Sequence, residues 1–159
     1  MKKTALCGVM VALALIFSFI ETFVPVPLAV PGIKLGLANI VIVFSLYKIG
    51  RSESFVINMV RIIVAGVLFG SMTSIMYALV GGLFSFAVMA ITKEKAKLHI
   101  ITVSICGAVA HIMGQIVVAG AVVGYKPVAV YMAPLLVSAL VTGALIGILS
   151  DAIVKRIKV

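Results

Sequence analysis

Four polar residues inside long apolar stretches are the part of this chain best suited to bind a ligand: Asn39, Arg61, His111 and Gln115. A polar or charged side chain in hydrocarbon is costly unless it is paired, so each one needs an explanation. Arg61 could hold an anionic group through two parallel hydrogen bonds. It could instead extend toward lipid headgroups, or serve as a structural partner for a carbonyl group or for Asn58.

His111 and Gln115 are four residues apart, which places them on the same face of a helix. Together they could line a cavity and donate hydrogen bonds to a ligand. The alternative is a polar contact between two helices, which contributes about 0.6–2 kcal/mol in a membrane. No second His, Cys or carboxylate has a spacing that suits a metal site with His111.

A second polar group is expected near the outer ends of the helices, where Lys34, Tyr77, Lys126 and Tyr131 join Asn39. Polar groups collected on an apolar bundle are what a pocket for a small, partly polar ligand requires. The tyrosines could equally belong to an aromatic belt, and the lysines could contact lipid headgroups. Glu21 is expected to face water or to pair with Lys34.

Several kinds of chemistry have no matching pattern in the sequence. The carboxylates, Glu21, Glu53, Glu94 and Asp151, are too far apart in sequence to suggest a paired Mg²⁺ site. The chain has no phosphate-binding glycine loop followed by Lys and Ser or Thr, and no nucleophile with a recognisable partner. We therefore expect no catalytic residue, no cofactor and no metal, and we expect a partner to supply any ATPase activity.

The composition is that of a membrane protein. Hydrophobic residues make up 64% of the 159 residues and charged residues 11%, and the mean hydropathy is +1.37. Soluble domains have about 25% charged residues. We expect a single transmembrane domain over residues 1–159, in the plasma membrane.

Six apolar segments predict an all-α bundle of six transmembrane helices. The second is short for a span and could cross obliquely or partly re-enter. Residues 124–127 (Gly-Tyr-Lys-Pro) are expected to form a turn. The predicted segments are Thr4–Phe23, Leu35–Ile49, Phe55–Phe69, Met72–Ile91, His99–Val123 and Val128–Leu149.

The basic residues indicate the orientation. With six crossings and a cytoplasmic N-terminus, ten of the thirteen Lys and Arg are cytoplasmic and only Lys34 and Lys126 lie outside. This bias follows the positive-inside rule and places both termini in the cytoplasm. It also explains the net charge of +9 without nucleic acid as a partner. The cytoplasmic set is Lys2, Lys3, Lys48, Arg51, Lys93, Lys95, Lys97, Lys155, Arg156 and Lys158.

Three stretches resemble a known membrane family. They are residues 31–39 (PGIKLGLAN), 61–70 (RIIVAGVLFG) and 107–115 (GAVAHIMGQ). Together they are similar to the Gx transporter family, which is often labelled heptaprenyl diphosphate synthase component I. That family belongs with the substrate-binding S components of energy-coupling-factor transporters, which are six-helix subunits.

The resemblance implies a ligand pocket that opens to the outside and is capped by the loop before the second helix. It also implies docking of Gly8 and Ala12 on a transmembrane coupling subunit that two ATPase subunits drive. The usual docking signature is Ala-x-x-x-Ala, and this chain has Gly8-x-x-x-Ala12 instead. The ligand would be vitamin-like, or related to a quinone or a prenyl group. The alternative is a non-catalytic membrane subunit of a polyprenyl diphosphate synthase in menaquinone biosynthesis.

Overall fold

The computed structural model describes residues 2–23 and 36–157, and every element in these two ranges is an α-helix. The predicted all-α architecture with six helices is present in these ranges, and all of the helices except α2 are long and apolar enough to cross a membrane. The predicted cap before the second helix lies outside the described residues. The helices are α1 (Lys2–Phe23), α2 (Leu37–Lys48), α3 (Arg51–Phe69), α4 (Met72–Glu94), α5 (Ile100–Val123) and α6 (Tyr125–Arg156).

The predicted four-residue turn before the last helix is wrong. Helix α6 begins at Tyr125, so Gly124 alone separates it from α5. Gly124 has φ 87°, a left-handed region that glycine enters without a steric penalty. Pro127 lies in the first turn of α6, where a helix does not need the missing N–H group.

Helix α2 is the short central helix of the bundle. Its twelve residues extend about 18 Å, less than the roughly 30 Å of a bilayer core. Most of its side chains are buried, and Ile42, Val43 and Leu46 form the main core with residues of α3, α4 and α5. Burial on all sides explains why α2 is apolar around its whole circumference.

The start of α1 and the end of α6 lie at the same end of the bundle, which we call the terminal end. Near the start of α1, Cys7 packs against the main core, as does Val154 near the end of α6. The ion pairs of this end join Arg51 to Glu94 at 3.1 Å, and Asp151 to Lys155 at 2.7 Å. Successive helices therefore alternate in direction, as expected for a bundle that crosses a membrane repeatedly.

The outer surface of the bundle is apolar. Large hydrophobic side chains project outward from each long helix; Val67 is 69% exposed and Val130 is 72% exposed. Water would solvate such a surface poorly, whereas lipid chains would cover it. The chain is a multi-pass membrane protein.

Helices α4 and α5 approach each other most closely at two glycines. A Cβ atom on Gly114 would lie 2.9 Å from the Cα atom of Gly81 and 3.0 Å from the carbonyl oxygen of Val80. Both neighbours are backbone atoms, so a side chain at Gly114 would have to push the helices apart. Small residues permit such close helix packing in lipid.

We expect Gly114→Ala to lower the free energy of unfolding by about 1–3 kcal/mol, the usual cost of overpacking. The matched control is Gly8→Ala, because a Cβ atom on Gly8 would meet no atom within 4 Å. Thermal unfolding in detergent, followed by the reactivity of the cysteine thiols, measures both variants. Equal stability of the two would contradict the close approach of α4 and α5.

Candidate functional site

An internal cavity of about 90 Å³ lies between the helices and is lined by residues from all six. It includes four of the residues that the sequence singled out: Asn39 from α2, Arg61 from α3, and His111 and Gln115 from α5. Five further polar residues line it as well. The polar lining consists of Glu21, Asn39, Arg61, Ser85, Ser104, His111, Gln115, Ser138 and Thr142.

The Arg61 guanidinium is held inside the bundle by two asparagines. Its Nη2 atom donates to Oδ1 of Asn58 at 2.9 Å and to Oδ1 of Asn39 at 3.4 Å. Asn58 in turn donates to the carbonyl oxygen of Gly82 at 3.4 Å. The contact with Asn58 is the structural pairing that the sequence allowed as an alternative. The same contact holds the guanidinium at the wall of the cavity, where it would have to lie in order to bind a ligand.

The Nε donor of Arg61 is not used by these contacts. The Nε atom is buried and has no hydrogen-bond partner among the described residues. A buried, unsatisfied donor is costly, and more so when it belongs to a charged group. An acceptor oxygen in the cavity, from water or from a ligand, would remove that cost.

Glu21, which the sequence placed in water or beside Lys34, is a structural group at the end of α1, and the predicted pairing with Lys34 lies outside the described residues. Its Oε1 atom accepts hydrogen bonds from the backbone N–H groups of Gly36 and of Leu37, the latter at 2.9 Å. Gly36 precedes α2 and has no side chain to cap it. The Glu21 carboxylate therefore caps α2, and it suits this position because a helix N-terminus favours negative charge.

We expect Glu21→Ala to lower the free energy of unfolding by about 0.5–2 kcal/mol, the usual cost of losing an N-cap. Glu21→Gln keeps a side-chain oxygen that can accept the same two hydrogen bonds, so it should lose less. Thermal unfolding in detergent, at low and at high salt, measures both variants. A stability loss in Glu21→Gln as large as in Glu21→Ala would argue that charge, and not the cap, is what Glu21 contributes.

Glu21 also balances the charge of the cavity. It interacts electrostatically with Arg61, and both residues line the same space. Among the described residues of the lining, Glu21 is the only carboxylate and Arg61 is the only Lys or Arg side chain. The described part of the lining is therefore polar, with one positive and one negative side chain.

The remaining predicted site residues that the structure describes do not line this cavity. Lys34 lies outside the described residues. Lys126 and Tyr131 are exposed on the first turns of α6 and line neither this cavity nor the groove described next. The predicted docking residues Gly8 and Ala12 are exposed on α1.

Tyr77 lines a larger groove at the end of the bundle opposite the termini. This outer groove has a volume of about 450 Å³ and lies between α4, α5 and α6. Its polar residues belong mainly to the start of α4, and the rest of its lining is apolar. Ile112 and Gln115 line both the outer groove and the internal cavity.

The size of each space limits what it can hold. Ligand pockets are commonly about 300–1,000 Å³, so the internal cavity of about 90 Å³ has room for a few waters or a small chemical group. The outer groove reaches the size of a ligand pocket. In residues 2–23 and 36–157, no three His, Cys, Asp or Glu side chains lie together as metal ligands would.

The fold and the cavity define a class of protein: a helical multi-pass membrane protein with a polar cavity inside the bundle. Residues 10–153 match the family model described as heptaprenyl diphosphate synthase component I, and the chain belongs to this family. The match confirms the family resemblance seen in the three sequence stretches. The comparisons with curated proteins and with solved structures give no match.

Proposed function

We propose that this protein is a membrane-embedded substrate-binding subunit that captures a small molecule inside the bundle, in the manner of an S component of an energy-coupling-factor transporter. The observation that carries the proposal is the buried Nε atom of Arg61, which has no partner and belongs to a side chain that lines the cavity. A site prepared to receive a ligand oxygen has such a donor. His111 and Gln115 supply further polar groups to the same space.

The polarity of the bundle supports entry from the side opposite the termini. The terminal end carries most of the basic residues, which supports a cytoplasmic location for it under the positive-inside rule. The outer groove would then open on the other side, toward molecules outside the cell. A ligand bound there would reach the internal cavity past Ile112 and Gln115.

Helix α1 offers a surface for a coupling subunit. Gly8 and Ala12 are exposed, and a Cβ atom at Gly8 would meet no atom of the bundle. Small residues on an exposed membrane helix permit the close approach of another helix. The proposal therefore includes a transmembrane coupling subunit and two ATPase subunits as partners, because this chain has no phosphate-binding loop of its own.

The family name favours a second candidate, a non-catalytic membrane subunit of a heptaprenyl diphosphate synthase. In this function the protein would hold a soluble synthase at the membrane or receive its lipid product. The basic residues of the terminal end would then face that soluble partner. This candidate does not require a ligand at Arg61.

Native mass spectrometry of the detergent-purified protein, combined with affinity purification from its native membrane, separates the two candidates. The substrate-binding function predicts a bound molecule other than a membrane phospholipid that is reduced in a Gln115→Ala variant, and ATPase subunits among the retained proteins. The matched control is Val117→Ala, a substitution at an exposed position of the same helix. Recovery of a soluble prenyl synthase at fixed stoichiometry, with only phospholipid bound, would reject the substrate-binding function.

A further inference from the structure

The internal cavity and the outer groove form two compartments of opposite character. The internal cavity is small and polar, and the outer groove is several times larger and mainly apolar. Ile112 and Gln115 form the boundary, because they line both spaces. A single ligand that filled both would need a compact polar part and a longer apolar part.

The side chains at the boundary suit a passage between the compartments. Gln115 is unbranched and has three rotatable side-chain bonds, so its amide can swing out of the way. The β-branched side chain of Ile112 is stiffer and would stay as an apolar wall. Once displaced, the Gln115 amide can still donate a hydrogen bond to a ligand oxygen.

The charge of the internal cavity decides what kind of polar group fits. Arg61 and Glu21 both line the internal cavity, so it holds a cation and a carboxylate side by side among its described residues. An anionic group would bring a second negative charge into this small space beside the Glu21 carboxylate, which is unfavourable. An uncharged oxygen can accept from Arg61 Nε and leave the balance intact.

We propose that the ligand is an uncharged amphiphile, with a compact carbonyl-bearing or hydroxyl-bearing head in the internal cavity and an apolar body in the outer groove. This inference rests on the proposed substrate-binding function and narrows its ligand class. Arg61 considered alone would suggest an anionic ligand group. The proposed head group is uncharged because Glu21 brings a negative charge to the same cavity.

The test uses two photoreactive probes with the same ten-carbon tail, one ending in a methyl ketone and one in a carboxylate. Each carries a diazirine on the tail, and the labelled peptides of the detergent-purified full chain are identified by mass spectrometry. We expect the ketone probe to label the outer groove near Tyr77 and Ala119 at least about tenfold more than the carboxylate probe. Glu21→Gln removes the negative charge and should bring the carboxylate probe to parity or above.

The controls separate groove binding from general partition into the micelle. Ala119→Trp should fill the groove and abolish its labelling, whereas Val122→Trp projects from the exposed face of the same helix and should not. Equal or stronger labelling by the carboxylate probe in the wild type, or an unchanged ratio in Glu21→Gln, would overturn the uncharged head. Absence of groove labelling by both probes would overturn the apolar body. The proposed function is judged separately, by whether a molecule co-purifies with the protein.

Discussion

Arg61→Met is expected to reduce the affinity for the co-purified molecule by roughly 10- to 100-fold. The variant keeps the apolar volume of the side chain and removes the buried Nε donor, which has no partner in the described protein. Hydrogen bonds to charged groups contribute about 1.5–3 kcal/mol, and that free energy corresponds to this range of affinity. Quantitative mass spectrometry of the extracted molecule, per mole of folded protein, measures the effect.

Lys126→Met is the matched control for this prediction. Lys126 was an equally good candidate in the sequence, but it is exposed on the first turn of α6 and does not line the cavity. We expect its replacement to leave the bound amount unchanged. If Lys126→Met removed the molecule and Arg61→Met did not, the binding site would lie at the surface and not in the cavity.

The second large effect is expected for Asn58→Leu, on stability. This substitution removes the acceptor 2.9 Å from Arg61 Nη2 and leaves the guanidinium with the longer contact to Asn39. Losing a hydrogen bond to a buried charged group costs about 1.5–3 kcal/mol, because the guanidinium stays buried with less compensation. Thermal unfolding in detergent should show a large decrease in the melting temperature.

A double-mutant cycle identifies the source of that loss. When Arg61 is also replaced by Met, the guanidinium that Asn58 compensates is gone, so the double variant should lose less stability than the sum of the two single losses. Additive losses in the double variant would show that Asn58 acts through its contact with Gly82 or through packing, and not through Arg61. Either result is independent of the ligand.

The sequence predicted most of the fold because membrane helices are long apolar runs interrupted by polar or glycine-containing breaks. The break at Gly70 and Ser71 is an example: α3 ends at Phe69, and Ser71 caps α4 through a hydrogen bond from the N–H group of Ser74. The connection before α6 was mispredicted because Pro127 signals a turn in most contexts, whereas the first turn of a helix accommodates proline.

The candidate site was only partly predictable. Asn39, Arg61, His111 and Gln115 were found because each interrupts an apolar segment. Glu21 was missed because it lies at the end of α1, where a carboxylate in water is the simpler interpretation, and its hydrogen bonds depend on where α2 begins.

The hydroxyl residues of the lining were missed for a different reason. Serine and threonine in membrane helices often bond to the backbone of their own helix, as Thr142 does with the carbonyl oxygen of Ser138 at 2.8 Å. The sequence therefore cannot distinguish them from residues such as Ser104, which donates across to the carbonyl oxygen of Gly143 on α6 at 2.8 Å.

Lys126 and Tyr131 lie apart from the cavity for a reason that the sequence does not show. Their position near the outer end of the bundle was predicted, but helix phase decides whether a side chain points inward. Both are exposed on α6, while Ser138 and Thr142, farther along the same helix and four residues apart, line the cavity.

The most direct measurement is an electron cryo-microscopy map of the purified protein in a lipid nanodisc, with an antibody fragment bound to increase its size. We expect non-protein density in the cavity within hydrogen-bond distance of Arg61 Nε, continuing past Gln115 into the outer groove. A closed cavity without such density, with the Arg61 guanidinium extended to the lipid headgroups, would contradict it.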